Sequence, residues 1–171
     1  MFRFPIRTLA ALLPALMLAS LVLISCNDEE FFQPELKEIG PFDTTQAVTR
    51  IKTDAGLAIY IYEEGTGRTV SENDELSLRY TGRRTNGSIF DSSSRDDRDE
   101  PVLLNIRTTV AGFRHGLSGV LIDGERRHAA REGGTRTLVI PPHLGYAGTG
   151  SALRNDTLIF DIDVLQITSP R

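Results

Sequence analysis

From residue 57 onward the apolar side chains fall on every second position. Leu57, Ile59 and Ile61 alternate with Ala58, Tyr60 and Tyr62, and Leu76, Leu78 and Tyr80 alternate with Ser77, Arg79 and Thr81. Val102, Leu104 and Ile106 repeat the period; Leu138 and Ile140 give a shorter version, and Leu158, Phe160, Ile162 and Val164 a longer one. A period of two gathers the apolar side chains on one face of an extended segment, so each stretch is predicted to be a half-buried strand. Turn formers separate them: Gly65-Thr66-Gly67, Glu72-Asn73-Asp74 and Asn86-Gly87. The last predicts a tight hairpin, because both residues tolerate positive φ.

One stretch changes period. Val110, Phe113, Leu117 and Val120 recur at helical spacing, predicting a helix over roughly Ala111 to Val120 with Thr108 or Thr109 as its cap. Its two glycines lower helix propensity and predict a short element. The sum is an α+β fold: an antiparallel sheet with one short helix packed on one face.

The pattern is different before residue 51. Arg3 and Arg7 open the chain, an apolar run from Leu9 to Ile24 follows, and no acidic residue precedes Asp28. That is the grammar of an export signal over residues 1–25. It ends in Leu23-Ile24-Ser25-Cys26, which resembles the lipobox of bacterial lipoproteins; in that family the cysteine is lipidated and becomes the first mature residue. Cys26 is the single cysteine, so no intramolecular disulfide is available to the exported domain. Residues 26–50 read as a lipidated cysteine and a flexible tether, with Asn27-Asp28-Glu29-Glu30, Pro34 and Pro41 and no steady period. The acidic run resembles a Bacteroidota surface-export signal; a plain solvated spacer fits it equally. Residues 51–171 are then one domain of ordinary size. Its expected place is the cell envelope, lipid-anchored on the periplasmic side or at the cell surface.

Without Arg3 and Arg7 the chain carries 17 basic and 23 acidic residues, a net charge of −6. With its basic residues scattered, that balance excludes nucleic acid as a partner. The acidic stretch Asp96, Asp97, Asp99 and Glu100 is interleaved with Arg95 and Arg98 and lacks the glycine spacing of a calcium loop. His115, His128 and His143 lack a metal-ligand spacing. No metal or cofactor is expected.

Six motifs follow one another from Gly56 to Ile167: Gly56 to Tyr60 with Glu64-Gly65-Thr66-Gly67, Leu78-Arg79-Tyr80-Thr81-Gly82, Phe90-Asp91-Ser92-Ser93, Val110 to Leu117, Leu138 to Tyr146, and Thr157 to Ile162. In this order they resemble the FKBP-type peptidyl-prolyl cis-trans isomerases. The resemblance implies an FKBP-like antiparallel sheet wrapped around the short helix, and an enzyme that rotates X-Pro bonds in exported proteins. Catalytic positions carried over by it are Asp91, Tyr146, Phe90 and Phe160. Substrate-binding positions are Tyr80, Val102, Leu104, Val110, Phe113 and Ile140, the last through its backbone. Tyr146 would donate its hydroxyl to a substrate carbonyl, and Asp91 would face the twisting bond. Proline-containing polypeptides are the implied substrates, and macrolides possible ligands.

The residue types fit that chemistry on their own terms. Amide resonance sets a rotation barrier of about 18–20 kcal/mol before proline. A twisted amide has lost that resonance, so an apolar, water-poor pocket favours it over the planar form. Aromatic walls suit the proline ring, and no covalent or proton-transfer step is required.

Three departures from the family pattern stand out. Phe113 occupies the place of the usual pocket-floor Trp. Tyr146-Ala147-Gly148 is followed by a short loop without the usual proline pair. Leu121 to Ala130 reads as an insertion forming a hairpin or surface loop. These departures leave a second function open: a binding or holdase chaperone with weak or no isomerase activity.

Overall fold

The computed structural model describes residues 39–94 and 100–168. The export signal, Cys26, the first part of the tether and residues 95–99 of the acidic loop lie outside the described residues. The strands are β1 (Thr49–Lys52), β2 (Ala58–Glu63), β3 (Glu75–Arg84), β4 (Ile89–Ser92), β5 (Val102–Asn105), β6 (Val120–Ile122), β7 (Glu125–Arg127), β8 (Gly134–Ile140) and β9 (Leu158–Thr168). Among the described residues there is one α-helix, α1 (Ala111–Ser118). Seven strands form one antiparallel sheet in the order β1-β2-β8-β9-β3-β4, with β5 also pairing with β3. This is the α+β architecture that the period predicts.

The inner face carries the apolar positions. Ile59, Ile61, Leu76, Leu78, Leu138, Ile140, Leu158 and Ile162 are fully buried, and Leu117 meets them from α1. The helix glycines let that packing be close. A β-carbon on Gly112 would stand 2.4 Å from Cγ2 of Ile140, and one on Gly116 2.5 Å from Cδ1 of Leu138. Each glycine costs about 1 kcal/mol of helix propensity, but lets the helix backbone rest directly on β8. Ile140 is thereby committed to the core beneath Gly112.

Arg136 also lies on the inner face of β8, where alternation calls for an apolar residue. It is fully buried, and its Nη1 donates to the carbonyls of Gly116 at 2.8 Å and His128 at 3.1 Å. Burial lowers its guanidinium to about 10, still cationic at neutral pH. A cation beside the last carbonyls of α1 satisfies groups that the helix itself cannot.

The outer face is polar and partly covered. Arg83 and Asp161 form a buried ion pair across it. Thr137 donates to Asp161 at 2.6 Å and shares a 3.0 Å hydrogen bond with the Tyr62 hydroxyl. Residues 39–42 cross this row as a strap. The N–H of Ile39 donates to Thr81 Oγ1 at 3.0 Å, its carbonyl accepts from Arg83 Nη2 at 2.9 Å, and Phe42 packs its ring 5.2 Å from that of Tyr62.

The strap moves a boundary. Residues 39–50 lie on the domain as strap, 3₁₀ turn (Thr44–Gln46) and the start of β1, so a flexible tether does not extend to residue 50. Two local expectations also change. The helix cap is Val110 without a side-chain bond, because Thr108 and Thr109 donate back to the carbonyls of Asn105 and Ile106 in the preceding 3₁₀ turn. At Asn86-Gly87 only Gly87 takes positive φ; Gly87 N–H bonds Arg84 and Arg84 N–H bonds Ser88, a turn closed by a glycine bulge. The insertion forms the β6–β7 hairpin, whose two-residue loop Asp123-Gly124 has both φ positive.

Candidate functional site

Where β3, β9 and the N-terminal turn of α1 meet, the sheet leaves a cavity of about 230 Å³. Its aromatic walls are Tyr80 of β3, Phe113 of α1 and Phe160 of β9. The Phe113 and Phe160 rings meet edge to face at 5.0 Å, and Tyr80 lies 6.1 Å from Phe160 and 6.3 Å from Phe113. Edge-to-face contact fixes each ring by its neighbours, so the cavity is held open by packing.

Gly82 makes this geometry possible. A β-carbon there would lie 2.8 Å from Phe90 and 2.9 Å from Phe160, so only glycine lets the two rings close over β3. They meet at 5.5 Å, nearly perpendicular. Gly82 also pairs with Asp91 across β3 and β4, just before a register shift. That pairing carries Asp91 to the cavity edge. The Tyr80 hydroxyl donates to Asp91 Oδ2 at 2.7 Å, and the Ser92 N–H donates to Oδ1 at 3.0 Å. The carboxylate is thus oriented by two donors while its residue borders the cavity.

Tyr146 reaches the same cavity from the segment after β8. The 3₁₀ turn Pro142–Leu144 ends β8, and the Ala147 N–H bonds back to Pro142 at 2.9 Å. Thr149 donates both its N–H and its hydroxyl to the Tyr146 carbonyl. The short loop after Tyr146 is therefore tightly wound without a proline pair.

Of the positions singled out from sequence, Tyr80, Asp91, Leu104, Val110, Phe113, Tyr146 and Phe160 line this one cavity. Phe90 stands behind Phe160 as its support, and Val102 pairs with Leu78 and packs on the core. Ile140 is fully buried, with its side chain under α1. Thr108 and Thr109 border the cavity although sequence reading assigned them only to the helix cap. Their place just before Val110 was the available signal. Among the described residues no group of His, Cys, Asp and Glu could hold a metal ion, and no helix is long and apolar enough to cross a membrane.

The arrangement offers an aromatic-walled box for a small ring, with the Asp91 carboxylate and the Tyr146 phenol among its polar groups. Comparison with known proteins points the same way. Residues 66–165 match the sequence model of the family described as FKBP-type peptidyl-prolyl cis-trans isomerase. FK506-binding protein 4 of Chaetomium thermophilum is 37% identical over 119 residues, 68% of this chain and 22% of that protein. A probable FKBP-type peptidyl-prolyl cis-trans isomerase of Haemophilus influenzae is 36% identical over 118 residues, 67% of this chain and 44% of that protein. The crystal structure of FkpA from Escherichia coli superposes with a TM-score of 0.57 at 27% identity, covering 70% of this chain and 52% of that one. The chain spans less than half the length of these two curated relatives.

Proposed function

The chain belongs to the FKBP-type peptidyl-prolyl cis-trans isomerase family, and we propose that it accelerates rotation about X-Pro bonds in polypeptides. The observation that carries this reading is the three-ring wall with the Tyr80-bound Asp91 at its edge. The proline ring enters between Phe113, Phe160 and Tyr80. As the preceding amide twists, it sheds the charge separation of the planar form, and an apolar surround then disfavours it less than water does. Tyr146 donates its hydroxyl to a substrate carbonyl, and Asp91 faces the rotating bond.

The proposed site of action is the cell envelope, on exported proteins, with Cys26 lipidated and the domain anchored to a membrane. The export signal and the lipobox-like Leu23 to Cys26 support this part of the reading. A macrolide is a proposed ligand of the same cavity; its support is the aromatic box and the name of the Chaetomium relative. The direct test is a protease-coupled assay of the purified full-length chain on a proline-containing tetrapeptide. A rate indistinguishable from the uncatalysed one, in folded protein that still suppresses aggregation, would replace the isomerase with a holdase. For the anchor, Cys26→Ser should abolish lipid labelling; equal labelling of both versions would remove Cys26 from the proposal.

A further inference from the structure

A second cleft, of about 330 Å³, lies across α1 from the aromatic cavity. The helix is the partition. Phe113 borders the cavity, whereas His115 and Gly119 border the cleft. At about 100° per residue, those two positions are turned roughly 200° and 240° from Phe113. The segment after β8 is shared in the same way, with Leu144 on the cleft and Tyr146 on the cavity. A helix with its side chains is about 10–12 Å across, a span of roughly four residues of extended chain.

The far wall of the cleft is the inserted hairpin, and it is docked at both ends. Arg126 Nη1 donates to the Gly119 carbonyl at 3.0 Å, and its Nη2 donates to Glu72 at 2.7 Å. The return strand is held where Arg136 bonds the His128 carbonyl. The cleft is therefore preformed. Its apolar lining comes from Leu57, Val120, Leu121 and Leu144, and Leu121 is 68% exposed.

The hairpin also offers backbone. Ile122 and Glu125 flank a two-residue loop, which makes them the pair that exchanges N–H···O bonds. The next pair, Leu121 and Arg126, is then of the non-bonded kind, and the N–H and C=O of Leu121 turn away from β7. Among the described residues β6 pairs with β7 alone, so this edge is open. The charged rim has both signs, and Arg126 is neutralised by Glu72, so nothing concentrates a field for a phosphate. An open strand edge, an aliphatic floor and a neutral rim describe a seat for extended polypeptide.

We infer that this cleft is a second polypeptide subsite, in which the β6 edge takes the backbone of an unfolded client. The floor beside Leu121 takes one of that client's apolar side chains, a few residues from the proline in the aromatic cavity. The inference rests on the isomerase reading of that cavity, and two probes of different length separate the two. A tetrapeptide reaches the cavity alone; a permanently unfolded, reduced and carboxymethylated protein reaches both.

The experiment compares Leu121→Asp with the unaltered full-length chain. Leu121 is exposed, so folding should survive, which circular dichroism checks. Tetrapeptide isomerisation should be unchanged, while affinity for the unfolded probe and catalysis of a proline-limited refolding reaction should each fall about tenfold. Leu121→Ile should retain both. Equal probe binding and refolding by Leu121→Asp and the unaltered chain would overturn the subsite. An unaltered chain inactive on the tetrapeptide would instead overturn the isomerase reading, and the binding arm would still decide the cleft.

Discussion

Thr135 donates its hydroxyl to Asp163 Oδ1 at 3.0 Å, across the register pair that joins β8 to β9 on the outer face. Burial outweighs that bond and holds the Asp163 carboxyl above its usual range. An acid whose folded-state value is raised destabilises the fold when ionised. The penalty is absent below the ordinary value of 3.8 and complete once pH has passed the raised one. Asp163→Asn should therefore raise the thermal midpoint at pH 7, with the gain fading as pH falls through the raised value and gone below the ordinary 3.8. Thermal melts of both chains across pH 3 to 7 check it; a gain independent of pH would contradict the burial argument.

The contact of Gly112 with Ile140 makes a second prediction. Gly112→Ala improves helix propensity by about 1 kcal/mol but forces an atom into the core, where overpacking costs typically 1–3 kcal/mol. The expected result is a lower midpoint together with lower isomerase activity, because Phe113 is the next residue along the displaced helix. A midpoint raised by the substitution would mean that β8 yields freely.

Polar and apolar parts of the cavity should separate in a third set of variants. Tyr146→Phe and Asp91→Ala should each lower kcat/KM. Tyr146→Phe should leave the midpoint close to its original value, whereas Asp91→Ala also removes the acceptor to which the Tyr80 hydroxyl donates and lowers it modestly. For Tyr146, a neutral donor worth about 0.5–1.5 kcal/mol, the loss is roughly two- to tenfold. Phe160→Ala should lower both, since truncating a buried Phe costs about 3–5 kcal/mol. Isomerase kinetics and melts on the same preparations read the split.

Removing the strap tests the revised domain boundary. A chain beginning at residue 51 lacks the two Ile39 backbone bonds and leaves the Arg83–Asp161 pair uncovered. The two Ile39 bonds, the Val48 bond to Ile61, the Phe42–Tyr62 contact and the first two residues of β1 are lost together. At about 1 kcal/mol for each hydrogen bond they predict a midpoint lower by several degrees than that of a chain beginning at residue 33. Equal midpoints would return residues 39–50 to the tether.

What could be read from sequence follows from which face each residue serves. Leu158, Phe160, Ile162 and Val164 announce β9 because its inner face is wholly apolar. β8 announces itself only from Leu138 onward, because Arg136 occupies an inner position. β1 carries one apolar residue, Ile51, and exists through backbone pairing with β2, which leaves no periodic mark. The strap is invisible for a related reason: Ile39 finds its partners at Thr81 and Arg83, more than forty residues along the chain. In the cavity, an ordered set of motifs located the residues, but adjacency in a motif is not adjacency in space. Ile140 shares a motif with Tyr146, but its side chain serves the core beneath Gly112, which leaves only its backbone for the role the motif implies.

The strap fixes a direction as well as a boundary. It crosses the back of the sheet, over Thr81 and Asp161, while the aromatic cavity opens on the front, between the sheet and α1. A pull on the chain at Ile39 is delivered to the middle of β3 and β9, crosswise to their ladder, and reaches the aromatic rings only through the thickness of the sheet. Load applied there falls on the polar outer face, opposite the face on which the aromatic cavity opens.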